Sequence, residues 1–185
     1  LLFRGSTAGN NRVPMQGPLV VVANHGSHLD PPLLGHALGR PVAFMAKAEL
    51  FSIPLLGQAM RAAEFPSVDR SNRQRAVRDL EKARAMMESG IVLWAAPEGT
   101  RSPDGKLLPF KKGCFHLALD TEAVIVPVAI RGIHKVLPAR SWRFNLGQQV
   151  SVHIGEPIDA ATYTREDLPE LMAETRQRIA TLLGG

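Results

Sequence analysis

The sequence predicts an α/β fold: a single domain with a mostly parallel or mixed central sheet flanked by helices. Three observations predict it. Short apolar runs alternate with longer amphipathic ones, the order that parallel-sheet domains show. Each polar cluster follows an apolar run directly, as ligand loops follow strands in such folds. The 185 residues carry no internal repeat, low-complexity tract or linker, which suits one domain with a sizeable core.

Leu19 to Ala23 is a short apolar run that stops at a polar cluster, as a buried strand does. Asp30-Pro31-Pro32 opens a helix, with Asp as N-cap and Pro at the first helical position. Val42 to Ala46 is a second strand candidate. A long helix is expected from Asn72 to Ser89, started by Ser71 and Gln74 at capping-box spacing and ended by Gly90. Ala76, Leu80, Ala83 and Met87 share its apolar face. Ile91 to Ala95 is a third strand. A loop rich in Pro and Gly runs from Pro97 to Pro109, and a short helix from Gly113 to about Asp120. Val124 to Ile130 reads as a buried strand, and Gln149 to Ile154 alternates like a fifth. The last helix begins near Asp167, which with Glu170 repeats the capping-box spacing. Leu168, Leu171, Thr175, Ile179 and Leu182 form its buried stripe.

Hydrophobic residues at 45% and charged residues at 21% are ordinary for a globular protein. The net charge of +5 favours anionic partners, whether phosphate, anionic lipid or nucleic acid. The single cysteine, Cys114, excludes an internal disulfide, suits a reducing compartment and reads as a core-filling helix residue. No run approaches the ~18 apolar residues of a membrane-spanning helix, and no secretory signal is visible. Leu1, Leu2 and Phe3 read as the end of a hydrophobic stretch.

Three stretches carry chemistry. In Asn24-His25-Gly26-Ser27-His28-Leu29-Asp30, a strand end leads into a helix. Asp30 can fold back on one imidazole nitrogen of His25 and leave the other to a substrate hydroxyl, which would then attack directly without a Ser nucleophile. A plainer reading makes Asp30 a helix cap and the histidines loop residues. Pro97-Glu98-Gly99-Thr100-Arg101-Ser102 offers a small flexible loop, hydroxyls and an Arg whose planar fork grips phosphate bidentately, with Lys111 and Lys112 close behind. Its plainer reading is a polar turn with a solvated Arg. From Lys47 to Arg70, the apolar residues Leu50, Phe51, Ile53, Leu55 and Leu56 line an acyl channel, touch a membrane, or are ordinary core. Arg70 closes this stretch as a second phosphate ligand.

Together and in this order, the three stretches resemble the glycerolipid acyltransferase family, whose best-known members are the lysophosphatidic acid acyltransferases. The pattern Asn-His-x-Ser-x-x-Asp matches at Asn24, His25, Ser27 and Asp30. A second region matches at Lys47, Glu49, Leu50, Ile53, Pro54, Gly57, Asp69 and Arg70. Pro-Glu-Gly-Thr-Arg-Ser matches from Pro97 to Ser102, followed by Phe110, Lys111 and Gly113. The strand with Ile125-Val126-Pro127-Val128 looks like a fourth. The resemblance covers about residues 18–157.

It implies an acyl-CoA or acyl-carrier-protein donor and a glycerol-phosphate-type acceptor such as lysophosphatidic acid. His25 and Asp30 become catalytic, while Arg70, Glu98, Gly99, Thr100, Arg101 and Lys47 become substrate-binding. The expected domain spans 1–185, with its motif-bearing core at 18–157 and a C-terminal helix at about 167–183. No metal or organic cofactor is expected, the thioester being the co-substrate. The expected partners are the donor, a lysophospholipid and an anionic membrane surface, and not nucleic acid. The expected location is the cytoplasmic face of a membrane, peripheral or anchored through an N-terminal segment. Ala96, where the family usually has Phe, and Phe65-Pro66-Ser67, where it usually has a strand, are local departures.

Two rivals are a metal-dependent hydrolase using His25, His28 and Asp30, and a non-enzymatic anion-binding module. The first lacks a paired ligand motif among His36, His116, His134 and His153. The second lacks an interleaving of Trp94, Trp142 and Tyr163 with basic residues.

Overall fold

A computed structural model describes residues 3–44, 46–47, 54, 58, 67–68, 73–139, 141 and 143–184. Its main sheet begins with β1 (Phe3–Ala8) and β2 (Leu19–Ala23). Helix α1 (Asp30–Leu38) leads to β3 (Val42–Phe44). Two short strands, β4 (Ala46–Lys47) and β5 (Ser67–Val68), pair in parallel as a separate ribbon. Then come α2 (Arg73–Glu88), β6 (Val92–Ala95), α3 (Gly113–Asp120) and β7 (Val124–Arg131). The chain closes with α4 (Ile133–Val136), β8 (Gln148–Ile154), β9 (Ile158–Asp159) and α5 (Leu168–Leu183).

The strand order is β1-β8-β7-β2-β6-β3, with β9 also on β7. The strands β7, β2, β6 and β3 are mutually parallel. β8 runs antiparallel to β7 and carries β1 parallel to itself, so the sheet is mixed, within the expectation.

Alternation on the central strands builds two layers. Val20 and Val22 face a core shared with Met87 of α2, Phe115 of α3 and Leu171 and Ile179 of α5. Leu19, Val21 and Ala23 face the opposite core, with Leu33 and Leu34 of α1 and Ile133 of α4. β2 is buried on both faces, which is why it reads as an unbroken apolar run.

Pro127 sits inside β7, where a proline would ordinarily cost a ladder bond. Its carbonyl accepts from Gly155 N, between the stretch of β7 that pairs with β9 and the stretch that pairs with β8. The missing N–H therefore falls at the change of partner.

Most expected elements are present within one or two residues. Gly90 ends α2 with φ 93°, and Ile91 N closes back on Met86 O. The capping box of α5 is not formed. Asp167 stands at the N-cap position, but its carboxylate turns back to accept from the amide and hydroxyl of Thr164. Ser71 and the apolar patch Leu50 to Leu56 lie outside the described residues, Pro54 aside. The edge strand β1, the short β9 and the helix α4 were not expected from the sequence.

Candidate active site

β2 and β6 are adjacent and parallel, so the loops that leave their carboxyl ends lie side by side. The first carries His25 and the second carries Glu98 to Ser102.

Asn24 shapes the exit from β2. Its amide donates to Ile130 O at 2.9 Å and accepts from Ile130 N at 2.7 Å. These bonds complete the β7 ladder beyond the last residue of β2, so the chain peels away at His25. The peptide then turns back toward Asp30. His25 Nδ1 and Asp30 Oδ2 are 2.7 Å apart. The same oxygen accepts from Gly26 N at 2.9 Å and Ser27 N at 3.1 Å.

Asp30 is therefore not the helix cap that its sequence suggests: Leu29 occupies that position, and the carboxylate serves the turn instead. Asp30 is fully buried, while the His25 side chain is 19% exposed. A carboxylate facing Nδ1 selects the tautomer with its proton there and leaves Nε2 as the proton acceptor. Trp94 of β6 meets His25 edge to face, with ring centroids 5.4 Å apart.

The loop after β6 fastens onto the same turn. Glu98 Oε1 accepts from His25 N at 2.8 Å, and Glu98 Oε2 accepts from Leu108 N at 2.8 Å. Ser102 N donates to His25 O at 2.7 Å. Burial raises the pKa of Glu98, with the two amide donors working against it. At Gly99, φ is +69°, and a β-carbon there would lie 2.6 Å from Lys111 Nζ, so the lysine stem crosses directly over this residue. Thr100 is exposed.

Arg101 is partly buried, and its Nη1 is buried without a hydrogen-bond partner among the described residues. A buried donor of this kind has an unmet hydrogen-bonding capacity. Arg101 lies close enough to His28 to help lower its pKa, after burial itself and ahead of His25. Among the described residues, no three His, Cys, Asp or Glu side chains converge as a metal site would require.

The structure brings together His25, Asp30, Glu98, Gly99, Thr100 and Arg101. Glu98, expected against the acceptor, instead turns its carboxylate inward onto two backbone amides. Lys47 is placed in β4 by its backbone alone, and Arg70 lies outside the described residues. Sequence reasoning gave no role to Trp94, to the Asn24 clamp or to the Ser102 amide. Asn24 and Ser102 carried a signal as members of matched patterns, but backbone hydrogen bonding leaves none in side-chain identity.

A family model described as Acyltransferase matches residues 6–131. The 1-acyl-sn-glycerol-3-phosphate acyltransferase of Saccharomyces cerevisiae is 34% identical over 169 residues, 90% of this chain and 55% of the yeast protein. The human 1-acyl-sn-glycerol-3-phosphate acyltransferase alpha is 32% identical over 183 residues, 97% of this chain and 64% of its own. The chain thus spans little more than half the length of these curated relatives. The crystal structure of the 1-acyl-sn-glycerophosphate (LPA) acyltransferase PlsC from Thermotoga maritima superposes with a TM-score of 0.79 at 32% identity, over 98% of this chain and 71% of that one.

Proposed function

Because the chain belongs to the acyltransferase family, we propose that it moves a fatty acyl group from a thioester to a hydroxyl of a glycerol-phosphate-type acceptor, lysophosphatidic acid above all, in phospholipid synthesis. The observation that carries this reading is the pairing of His25 and Asp30 at 2.7 Å beside a loop whose Arg101 holds a buried nitrogen with no partner among the described residues. The first supplies a base, and the second a place for phosphate.

In this reading the acceptor hydroxyl gives its proton to His25 Nε2 as its oxygen bonds to the thioester carbonyl carbon. The tetrahedral intermediate collapses, the C–S bond breaks, and the departing thiolate takes the proton from the imidazolium. Asp30 holds the ring and balances its transient charge. Positioned base catalysis of this kind contributes roughly 10²- to 10⁴-fold. Arg101 grips the acceptor phosphate, with Gly99 and Thr100 beside it and Arg70 and Lys47 completing the site. The thioester supplies the driving force, so no cofactor takes part, and the donor is acyl-CoA or acyl carrier protein.

The setting follows from the product. Among the described residues no helix is long and apolar enough to cross a membrane. The proposed setting is a membrane surface, on the cytoplasmic face, with the domain peripheral or anchored through an N-terminal segment and favoured there by its net charge of +5. Binding to anionic vesicles should weaken as salt shortens the screening length toward about 8 Å.

The direct test incubates the protein with a panel of acyl-CoA and acyl-carrier-protein donors and lyso-acceptors, and identifies products by mass. Lysophosphatidic acid should gain one acyl chain. Thioester hydrolysis without transfer to any acceptor would sink the reading.

A further inference from the structure

The loop after β6 holds the base turn at both poles of one residue. The His25 amide donates to Glu98 Oε1, and the His25 carbonyl accepts from Ser102 N. The other oxygen of Glu98 receives Leu108 N, from the returning side of that loop. One carboxylate thus ties together the turn that carries the base and both limbs of the loop that carries Arg101. Glu98 is 3% exposed, so little of its surface reaches a ligand. A buried anion is also a poor neighbour for a phosphate-bearing acceptor.

We propose that Glu98 is a positioning residue, acting on transfer through the His25 backbone and fixing the base relative to the Arg101 loop instead of touching the acceptor. The proposal rests on the acyltransferase reading for its kinetic consequence, but the clasp itself is a property of the folded chain. Two oxygens at the end of a two-methylene stem are what the geometry uses. Gln keeps the length and loses one acceptor, setting an NH₂ against a backbone N–H. Asp keeps the charge and both acceptors, but is one methylene too short to span the two amides.

Amide exchange followed by NMR reads the clasp without any substrate. In the wild type, the His25 and Leu108 amides should be protected although neither lies in a strand or helix. In Glu98→Gln both should lose protection together, by about tenfold or more, with the circular dichroism spectrum unchanged. The kcat for transfer should fall about 10- to 100-fold, the scale expected when a catalytic group shifts by a fraction of an ångström to an ångström. The acceptor KM should rise by a smaller factor than kcat falls, since the Arg101 loop loosens with the turn. Glu98→Asp should be impaired as severely as Glu98→Gln.

A raised acceptor KM with kcat and amide protection intact would overturn the proposal, because Glu98 would then be reading the acceptor. Full rescue by Glu98→Asp would overturn it too, since charge and not reach would be what matters. Should Glu98→Gln fail to fold, the wild type decides: His25 and Leu108 amides exchanging at open-loop rates would refute the clasp. Loss of protection in the variant, combined with no acyl transfer by the wild type, would reject the acyltransferase reading and leave the clasp standing.

Discussion

Oδ2 of Asp30 accepts from two backbone amides as well as facing His25, so this residue orients the proposed base and shapes its turn at once. His25→Ala should keep its fold by circular dichroism and lose about 10²- to 10⁴-fold in kcat. His28→Ala should lose far less, and equal damage from both would undo the assignment of the base. Arg101 makes a different prediction because its proposed role is recognition. Arg101→Lys keeps the charge but not the bidentate fork, so transfer to a phosphorylated acceptor should already fall. Wild type should prefer an acceptor with phosphate to one without, and Arg101→Ala should erase most of that preference. Equal loss on both acceptors would mean that Arg101 supports the loop and does not read the phosphate.

Elements and their ends set where those residues stand. Removing the Asn24 amide leaves Ile130 N–H and C=O buried and unpaired, at about 1–3 kcal/mol for each. Asn24→Ala should therefore lower the urea midpoint with an unchanged slope, and should slow transfer because the His25 turn starts there. A stability near wild type would show that water or a shifted strand replaces the amide. On α5, Leu171 is fully buried against the sheet. Leu171→Ala should cost about 2–5 kcal/mol in equilibrium unfolding and leave kcat unchanged for the molecules that remain folded. The stripe on α5 was legible because helical periodicity survives in sequence. The strands β1 and β9 were not, because β1 is mostly exposed along an edge and β9 is only two residues long, so neither shows an apolar run.

At the scale of the whole molecule, acid should destabilise the fold through its histidines. Burial lowers the pKa of His28, His134 and His153, with neighbouring cations adding to the effect. The unfolded chain then takes up protons that the native state refuses. That contribution is fully present above the unfolded value of about 6.5 and is lost as pH falls through the lower folded values. The Tm should thus fall on acidification from pH 7.5 toward 5. Replacing His28 and His134 with Gln should flatten that slope, and a variant with the same slope would show that other groups govern it. Glu98 works in the opposite sense, because its pKa is raised, so the histidine variants are what isolate the effect.

The sequence by itself determined the alternation of strands and helices, the buried apolar run of β2 and the His25–Asp30 spacing from which the base is proposed. Each of these is written locally, as periodicity or as residues a few positions apart, and His25 and Asp30 lie within one turn. Tertiary structure decided how the two loops meet. Glu98 and His25 are 73 positions apart, and their contact joins a side chain to a backbone amide. No residue type at position 25 would reveal that contact, since every residue but proline offers the same N–H. The parallel pairing of β2 with β6 brings the two loops together, and the depth at which Glu98 is buried turns a residue expected on the substrate into one bonded to the His25 backbone.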